Sequence, residues 1–355
     1  MDCIRGAAAL ALLGIIGCTE PAAPVEGGSG TEGTTGSGTT TGASSVDSTG
    51  SGSGPTSGAS GDAGSTGEAE TTAGMPDVGV PACALDSAFP EPEVEHTLEH
   101  DGMERRFIVH VPTAYDHRAP TPVVFAFHGY TNTPQQQEEW SMMSAKAEEA
   151  GFILVYAYGT GVPSSWNGGD CCGAGVTDDV GFVSAMIDWL DGELCIDVDR
   201  VYATGFSNGG FLSHRLACEL SDRIAAIGPV AGMLGIDDCM PDRPMPVLQL
   251  HGTSDFIVPF DGSVGLGFRS AEETIAQWVE IDGCVGDPVV TYEQGDVTCE
   301  SYQDCDAQVE VELCTVTGGG HTWPGGADIF GAGPTTQDID ANDHIWEFFE
   351  RHPRP

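Results

Sequence analysis

Hydrophobic and polar positions divide the chain into two unlike parts. Up to residue 82 there is one apolar run, 7–16, followed by a long stretch nearly devoid of large side chains. From 83 onward, short apolar segments alternate with amphipathic ones. Segments 94–98 and 105–111 alternate around Asp101-Gly102, which predicts a hairpin. Segment 122–128 carries a Val-Val-Phe-Ala-Phe run suited to a strand buried on both faces, and 152–157 is another continuous apolar strand. Further strands are predicted at 200–204, 225–231, 247–250 and 308–316, the last with alternating polarity. Helical patterns cover 135–150, 179–190, 208–220, 270–281 and 341–349. After the hairpin, strands and helices take turns, so the predicted class is α/β: a mostly parallel central sheet with helices on both faces. No internal repeat is visible.

Composition narrows the possibilities. Twelve Lys and Arg stand against 54 Asp and Glu, a formal charge of −42 over 355 residues. Such a surface repels a phosphate backbone, so no nucleic acid is expected as partner. The acidity serves solubility rather than recognition, and no obligate protein partner is evident. Gly is abundant at 50 residues but has no three-residue period, which excludes a collagen-like chain. The 12 Cys argue for an oxidising compartment.

Residues 1–18 have the form of an export signal: Arg5, the apolar run 7–16, then Gly17-Cys18. The run is shorter than the roughly 20 apolar residues a permanent span requires. Ile15-Ile16-Gly17-Cys18 resembles the lipobox of bacterial lipoproteins, which implies cleavage before Cys18 and lipidation of its thiol. An ordinary secretory signal is the alternative. Segment 19–80 lacks Lys, Arg, aromatics, Leu and Ile, and 19–82 therefore reads as a disordered Gly/Ser/Thr-rich linker. Roughly 60 such residues reach on the order of 40–50 Å. The expected protein is extracellular or periplasmic, membrane-anchored only through a lipidated Cys18, with one catalytic domain over 83–355.

Chemistry concentrates at Gly205-Phe206-Ser207-Asn208-Gly209, a G-x-S-x-G pattern. In a Gly-rich chain the letters alone mean little, but a predicted strand precedes them and a predicted helix follows. That is the context in which a tight turn projects a nucleophilic Ser from a sheet edge. A Ser hydroxyl needs a base to remove its proton, and the base needs a carboxylate to orient it. In this context the order along the chain is Ser, acid, His. Asp255 follows the strand 247–250, and His321 follows 308–316 after Gly318-Gly319-Gly320. His128, His214, His251 and His344 are the other candidate bases; His251 is expected to brace the acid loop and His128 to be structural. Asp178 and Asp179 rival Asp255 but precede a helix, where capping accounts for them. Backbone N–H groups of Tyr130, after His128-Gly129, and of Asn208 are the expected oxyanion hole.

Six blocks then stand in order: His128-Gly129; Trp166-Asn167-Gly168 with Cys171-Cys172-Gly173; Asp178-Asp179-Val180-Gly181-Phe182; 200–210; His251-Gly252-Thr253-Ser254-Asp255; and Gly320-His321-Thr322-Trp323-Pro324-Gly325. Together they resemble the secreted polyhydroxybutyrate-depolymerase and feruloyl-esterase type esterases, grouped with carbohydrate esterase family 1. The resemblance implies an α/β-hydrolase with Ser207, Asp255 and His321 as its triad. It implies hydrolysis of feruloyl or acetyl esters of plant-wall polysaccharide, or of hydroxybutyrate oligomers, without cofactor. The export signal and tether, with no recognisable polymer-binding module, favour soluble oligomers. Trp166 and Trp323 are expected to line a substrate subsite, with core packing as the alternative. A serine peptidase on the same triad, or a non-catalytic binding lipoprotein on a hydrolase scaffold, are the rival functions.

Setting aside Cys3 and Cys18 leaves 12 − 2 = 10 Cys, enough for five disulfides. Adjacent Cys171 and Cys172 are expected to have separate partners, because a bond between neighbours is strained. Cys218 with Cys239, and Cys299 with Cys305, are the local pairs expected. No two-residue Cys spacing is paired with His, so no metal is expected.

Overall fold

A computed structural model describes residues 83, 93–172 and 177–355. The export signal 1–18 with Cys18, the linker 19–82 and Gly173 lie outside the described residues.

The hairpin is formed by β1 (Glu93–His100) and β2 (Met103–His110), with Asp101 and Gly102 both at positive φ in its turn. There follow β3 (Thr121–Phe127), α1 (Pro134–Ser141), α2 (Met143–Ala150), β4 (Ile153–Ala157), α3 (Asp179–Glu193) and β5 (Ile196–Phe206). Then come α4 (Asn208–Glu219), β6 (Ile227–Val230), β7 (Val247–Gly252) and α5 (Ala271–Ile281). The chain closes with β8 (Val289–Gln294), β9 (Val297–Tyr302), β10 (Val311–Val316) and α6 (Ala341–Arg351).

Among the described residues ten strands join one sheet in the order β1-β2-β4-β3-β5-β6-β7-β10-β9-β8. The six from β4 to β10 are mutually parallel, and an antiparallel pair extends each side. The continuous apolar run of β3 is explained by the two faces it serves. Val123, Phe125 and Phe127 pack with Phe182, Met186 and Leu190 of α3, Leu212 and Leu216 of α4, and Trp278 of α5. Val124 and Ala126 pack on the opposite face with Met143 and Ala147 of α2 and Ile345, Phe348 and Phe349 of α6. Burying each large side chain contributes roughly 1.5–3 kcal/mol, so both layers stabilise the sheet.

Three expectations about elements change. The single helix predicted at 135–150 is two, broken at Met142 in the left-handed region (φ 54°). Ser141 Oγ bonds back to Gln137 O at 2.8 Å and accepts from Met143 N, drawing the backbone away from the helical ladder. The last alternating strand begins at Val311, and Asp306–Gln308 form a 3₁₀ turn instead. The hairpin of β8 and β9 was not predicted; β8 is largely exposed on both faces and so lacks the apolar signature of a buried strand.

Among the described residues five disulfides are formed: Cys83–Cys195, Cys171–Cys172, Cys218–Cys239, Cys284–Cys305 and Cys299–Cys314. The pair 218–239 agrees with expectation. Cys299 does not pair with Cys305, because the β9–β10 register sets it directly opposite Cys314. Cys171 and Cys172 do not have separate partners but bond to each other. The other eight described cysteines pair among themselves, and Cys172 adopts positive φ (70°) in the turn that accommodates the link.

Candidate active site

Parallel strands deliver their carboxyl ends to one edge of a sheet, which is where α/β sites form. Ser207 follows β5, Asp255 follows β7, and His321 follows β10. The loops that carry Tyr130 and Trp166 follow β3 and β4 at the same edge.

Ser207 sits between β5 and α4 at φ 56° and ψ −119°, a conformation uncommon for any residue but Gly. Close packing around it explains the flanking glycines. A Cβ on Gly205 would lie 2.5 Å from Gly209 O, and one on Gly209 would lie 2.1 Å from Phe127 O. Strand and helix therefore approach as only bare backbone allows, with Ser207 at the turn between them.

His321 and Asp255 meet directly: Nδ1 of the ring lies 2.6 Å from Oδ2 of the carboxylate. Oδ1 of Asp255 accepts from the N–H groups of Ile257 (2.8 Å) and Val258 (2.9 Å). Burial would raise the Asp255 carboxyl, but the His321 charge and the hydrogen bonds from His251 and His321 outweigh it and hold it well below the usual carboxylate range. The acid and base loops are stitched by Ser254 N to Gly319 O at 2.9 Å, a contact so close that a Cβ on Gly252 would fall 2.4 Å from that oxygen. His321 N bonds Ala332 O at 2.7 Å, fixing the base loop from its other side. Phe206, the residue before Ser207 in the chain, packs on the His321 ring at a centroid distance of 4.6 Å. Among the described residues no hydrogen bond joins the Ser207 hydroxyl to the ring.

The other histidines are occupied elsewhere. His128 is buried, pairs Nδ1 with Gly129 O and accepts from Gly159 N at Nε2; burial pushes its pKa down to about 4. His214 is enclosed with Trp278 and Gln249, and burial takes its pKa down to about 3. His251 Nε2 lies 2.8 Å from Val258 O, bracing the acid loop as expected. His344 bonds Glu312 at 2.9 Å. The rival acids are also engaged: Asp178 caps α3 through Gly181 N, and Asp179 pairs with Arg105 at 2.7 Å in the core.

Trp166 and Trp323 are 0% and 1% exposed, so neither presents a face to a ligand, contrary to expectation. Trp323 Nε1 donates to Asn342 Oδ1, whose amide in turn donates to Ser141 O, tying the base loop to α6 and α1. Trp166 is bound to the loops around Ser207 through its backbone and its indole. Their aromatic character cannot distinguish wall from core; burial decides. Tyr130 is half-buried after Gly129, whose own Cβ would lie 3.3 Å from Ser207 Cβ, so the Tyr130 and Asn208 segments flank the same serine. Phe256, which follows Asp255 in the chain, is 64% exposed. Among the described residues, Cys299, Glu312, Cys314 and His344 gather side chains with metal-binding chemistry, but the two sulfurs are bonded to each other.

Comparison with known proteins agrees with this frame. Residues 101–253, less than half of the chain, match the family described as X-Pro dipeptidyl-peptidase (S15 family), and the match ends before Asp255 and His321. Feruloyl esterase B of Piromyces equi is 32% identical over 231 residues, covering 61% of this chain and 42% of that protein. The chain thus spans less than half the length of that relative. Feruloyl esterase D of Neurospora crassa is 27% identical over 268 residues, covering 72% of this chain and 84% of its own length. An acetyl xylan esterase structure from Aspergillus awamori superposes with a TM-score of 0.53 at 16% identity, covering 72% of this chain and 99% of that one. The chain has the α/β-hydrolase fold and is similar in sequence to feruloyl esterases.

Proposed function

We propose that the chain is an exported serine esterase that hydrolyses carboxylic esters through an acyl-enzyme on Ser207. The observation that carries this is the His321–Asp255 pair, held against Phe206 at the tip of the turn that presents Ser207 at positive φ. Nε2 of His321 takes the hydroxyl proton as Oγ attacks the ester carbonyl, and the imidazolium is stabilised by Asp255. The developing oxyanion accepts hydrogen bonds from the N–H groups of Tyr130 and Asn208, each such donor being worth roughly 10²–10³ in rate. His321 then protonates the departing alcohol, and water activated by the same ring releases the acid.

The substrates proposed are feruloyl or acetyl esters on plant-wall polysaccharide fragments, with hydroxybutyrate oligomers as the further candidate. Support comes from the names of the Piromyces, Neurospora and Aspergillus proteins, and from Phe256, which offers an exposed ring beside Asp255. Five disulfides suit an oxidising compartment, in keeping with export through 1–18 and anchoring at Cys18.

The experiment is parallel hydrolysis of methyl ferulate, an acetylated xylo-oligomer and a hydroxybutyrate oligomer by wild type and Ser207→Ala. Loss of about 10⁴-fold or more in kcat with the fold intact is expected; undiminished turnover by the variant discards the assignment. The peptidase reading is favoured by the S15 match, and release of 4-nitroaniline from an X-Pro anilide in preference to any ester would establish it. A phosphonate that fails to label Ser207 would favour the non-catalytic alternative.

A further inference from the structure

Every polar group of Trp166 is committed to the two segments that flank Ser207. Its N–H donates to Asn208 Oδ1 at 2.7 Å, and its carbonyl accepts from Asn208 Nδ2 at 3.0 Å. The Asn208 side chain is thus clasped at both ends of its amide, immediately after the serine. On the other side, Trp166 Nε1 donates to His128 O at 2.9 Å, the carbonyl that begins the Gly129-Tyr130 segment. The indole also packs on the rings of Phe127 (5.3 Å) and His128 (5.0 Å). The next residue is anchored in turn. Asn167 N donates to Asp179 Oδ2 at 2.7 Å, and Asn167 O accepts from Arg215 Nη1 at 2.9 Å. Asp179 is itself paired with Arg105 at 2.7 Å, both side chains being buried.

We propose that Trp166 is a positioning residue: a strut between the Asn208 and His128–Tyr130 segments that fixes the distance between the two backbone donors facing the oxyanion. This rests on the assignment of Ser207 as nucleophile. The physical reason is that a tetrahedral intermediate is stabilised only by donors already in place, and the two donors follow different strands, Tyr130 in the loop after β3 and Asn208 as the first residue of α4 after β5. The pairing of β3 with β5 relates them only as far as Phe127 and Gly205, and beyond that a side chain must bridge. Trp166, carried by a third loop after β4, does. Its ring touches no substrate, so its removal acts on the transition state and leaves ground-state binding nearly unchanged.

Trp166→Phe keeps an aromatic ring and deletes one donor, since indole Nε1–H is the only polar group of that side chain. Asn208→Ala keeps the backbone N–H of residue 208 and deletes the clasp. Both are assayed beside wild type and Ser207→Ala on the ester the wild type cleaves best. Near-UV circular dichroism reports the fold, and Kd is measured for phenylboronic acid, a probe that forms a tetrahedral adduct on a serine. Each variant is expected to lose about 10–100-fold in kcat, the scale of an ångström of misplacement, with KM held within about twofold. Boronate affinity should weaken in step with kcat. If Trp166→Phe does not fold, the same measurements on Asn208→Ala decide. Native-like variants with kcat and boronate affinity within about twofold of wild type overturn the strut, as does a loss carried by KM alone. Retained activity in Ser207→Ala overturns the underlying assignment instead, and the strut falls with it; the two failures are read in different variants.

Discussion

His321 Nδ1 donates to Asp255 Oδ2 at 2.6 Å across 66 residues of intervening chain. A carboxylate can only accept, so the ring carries a proton on Nδ1, and Nε2 is the nitrogen left for another partner. The carboxylate cannot turn away, because its other oxygen is held by two backbone N–H groups of its own loop.

Replacing Asp255 by Asn should therefore lower kcat by roughly 10⁴, through loss of the tautomer rather than of the fold. Steady-state kinetics on Asp255→Asn and Asp179→Asn side by side check this. A loss below about tenfold in the first variant would show that Asp255 does not orient the base.

Gly209→Ala should disable the site by sterics alone. The added methyl would lie 2.1 Å from Phe127 O, a backbone atom of the central strand β3. Overpacking of this kind costs about 1–3 kcal/mol or more and shifts the turn that carries Ser207. Unchanged melting temperature together with unchanged phosphonate labelling of Ser207 would contradict the close approach.

Stability should fall at both ends of the pH scale for separate reasons. Burial lowers His128 from 6.5 to about 4 and His214 from 6.5 to about 3. Their stabilising contribution is present above pH 6.5 and lost as pH falls through those folded values. Burial raises Asp282 from 3.8 to about 7, so its contribution is complete below 3.8 and lost as pH rises through 7. Asp282→Asn keeps an oxygen for Met245 N and should raise the urea midpoint at pH 8 while leaving it nearly unchanged at pH 4. Equal midpoints for variant and wild type at pH 8 would show that no charge is being forced into that site.

Opening the Cys218–Cys239 bridge by double replacement with Ala should cost roughly 3 kcal/mol, from the added freedom of the unfolded chain across a 21-residue separation. Both cysteines lie away from the Ser207 edge, at the carboxyl end of α4 and in the segment before β7, so activity at low temperature should persist. A denaturant series checks the first part and an ester assay the second.

Much of the scaffold was legible in the residues themselves. Strands covered on both faces must be apolar throughout, which made β3, β4 and β7 visible, and an Asp-Gly turn marked the first hairpin. The turn at Ser207 was legible because its glycines are demanded locally, by strand and helix meeting within a few residues. The exposed β8 carried no such mark, and the break at Met142 depended on which way the Ser141 hydroxyl bonded.

By itself, the order of residues determined the α/β alternation, the position of Ser207 between strand and helix, and the succession Ser, Asp, His. These follow from local backbone preference and side-chain periodicity, which act over a few positions. Only the tertiary structure decided that Cys299 faces Cys314, that Cys171 bonds its neighbour, and that Trp166 and Trp323 are buried rather than lining a subsite. Those outcomes depend on strand register and on loops from distant parts of the chain, and no short window of residues contains that information.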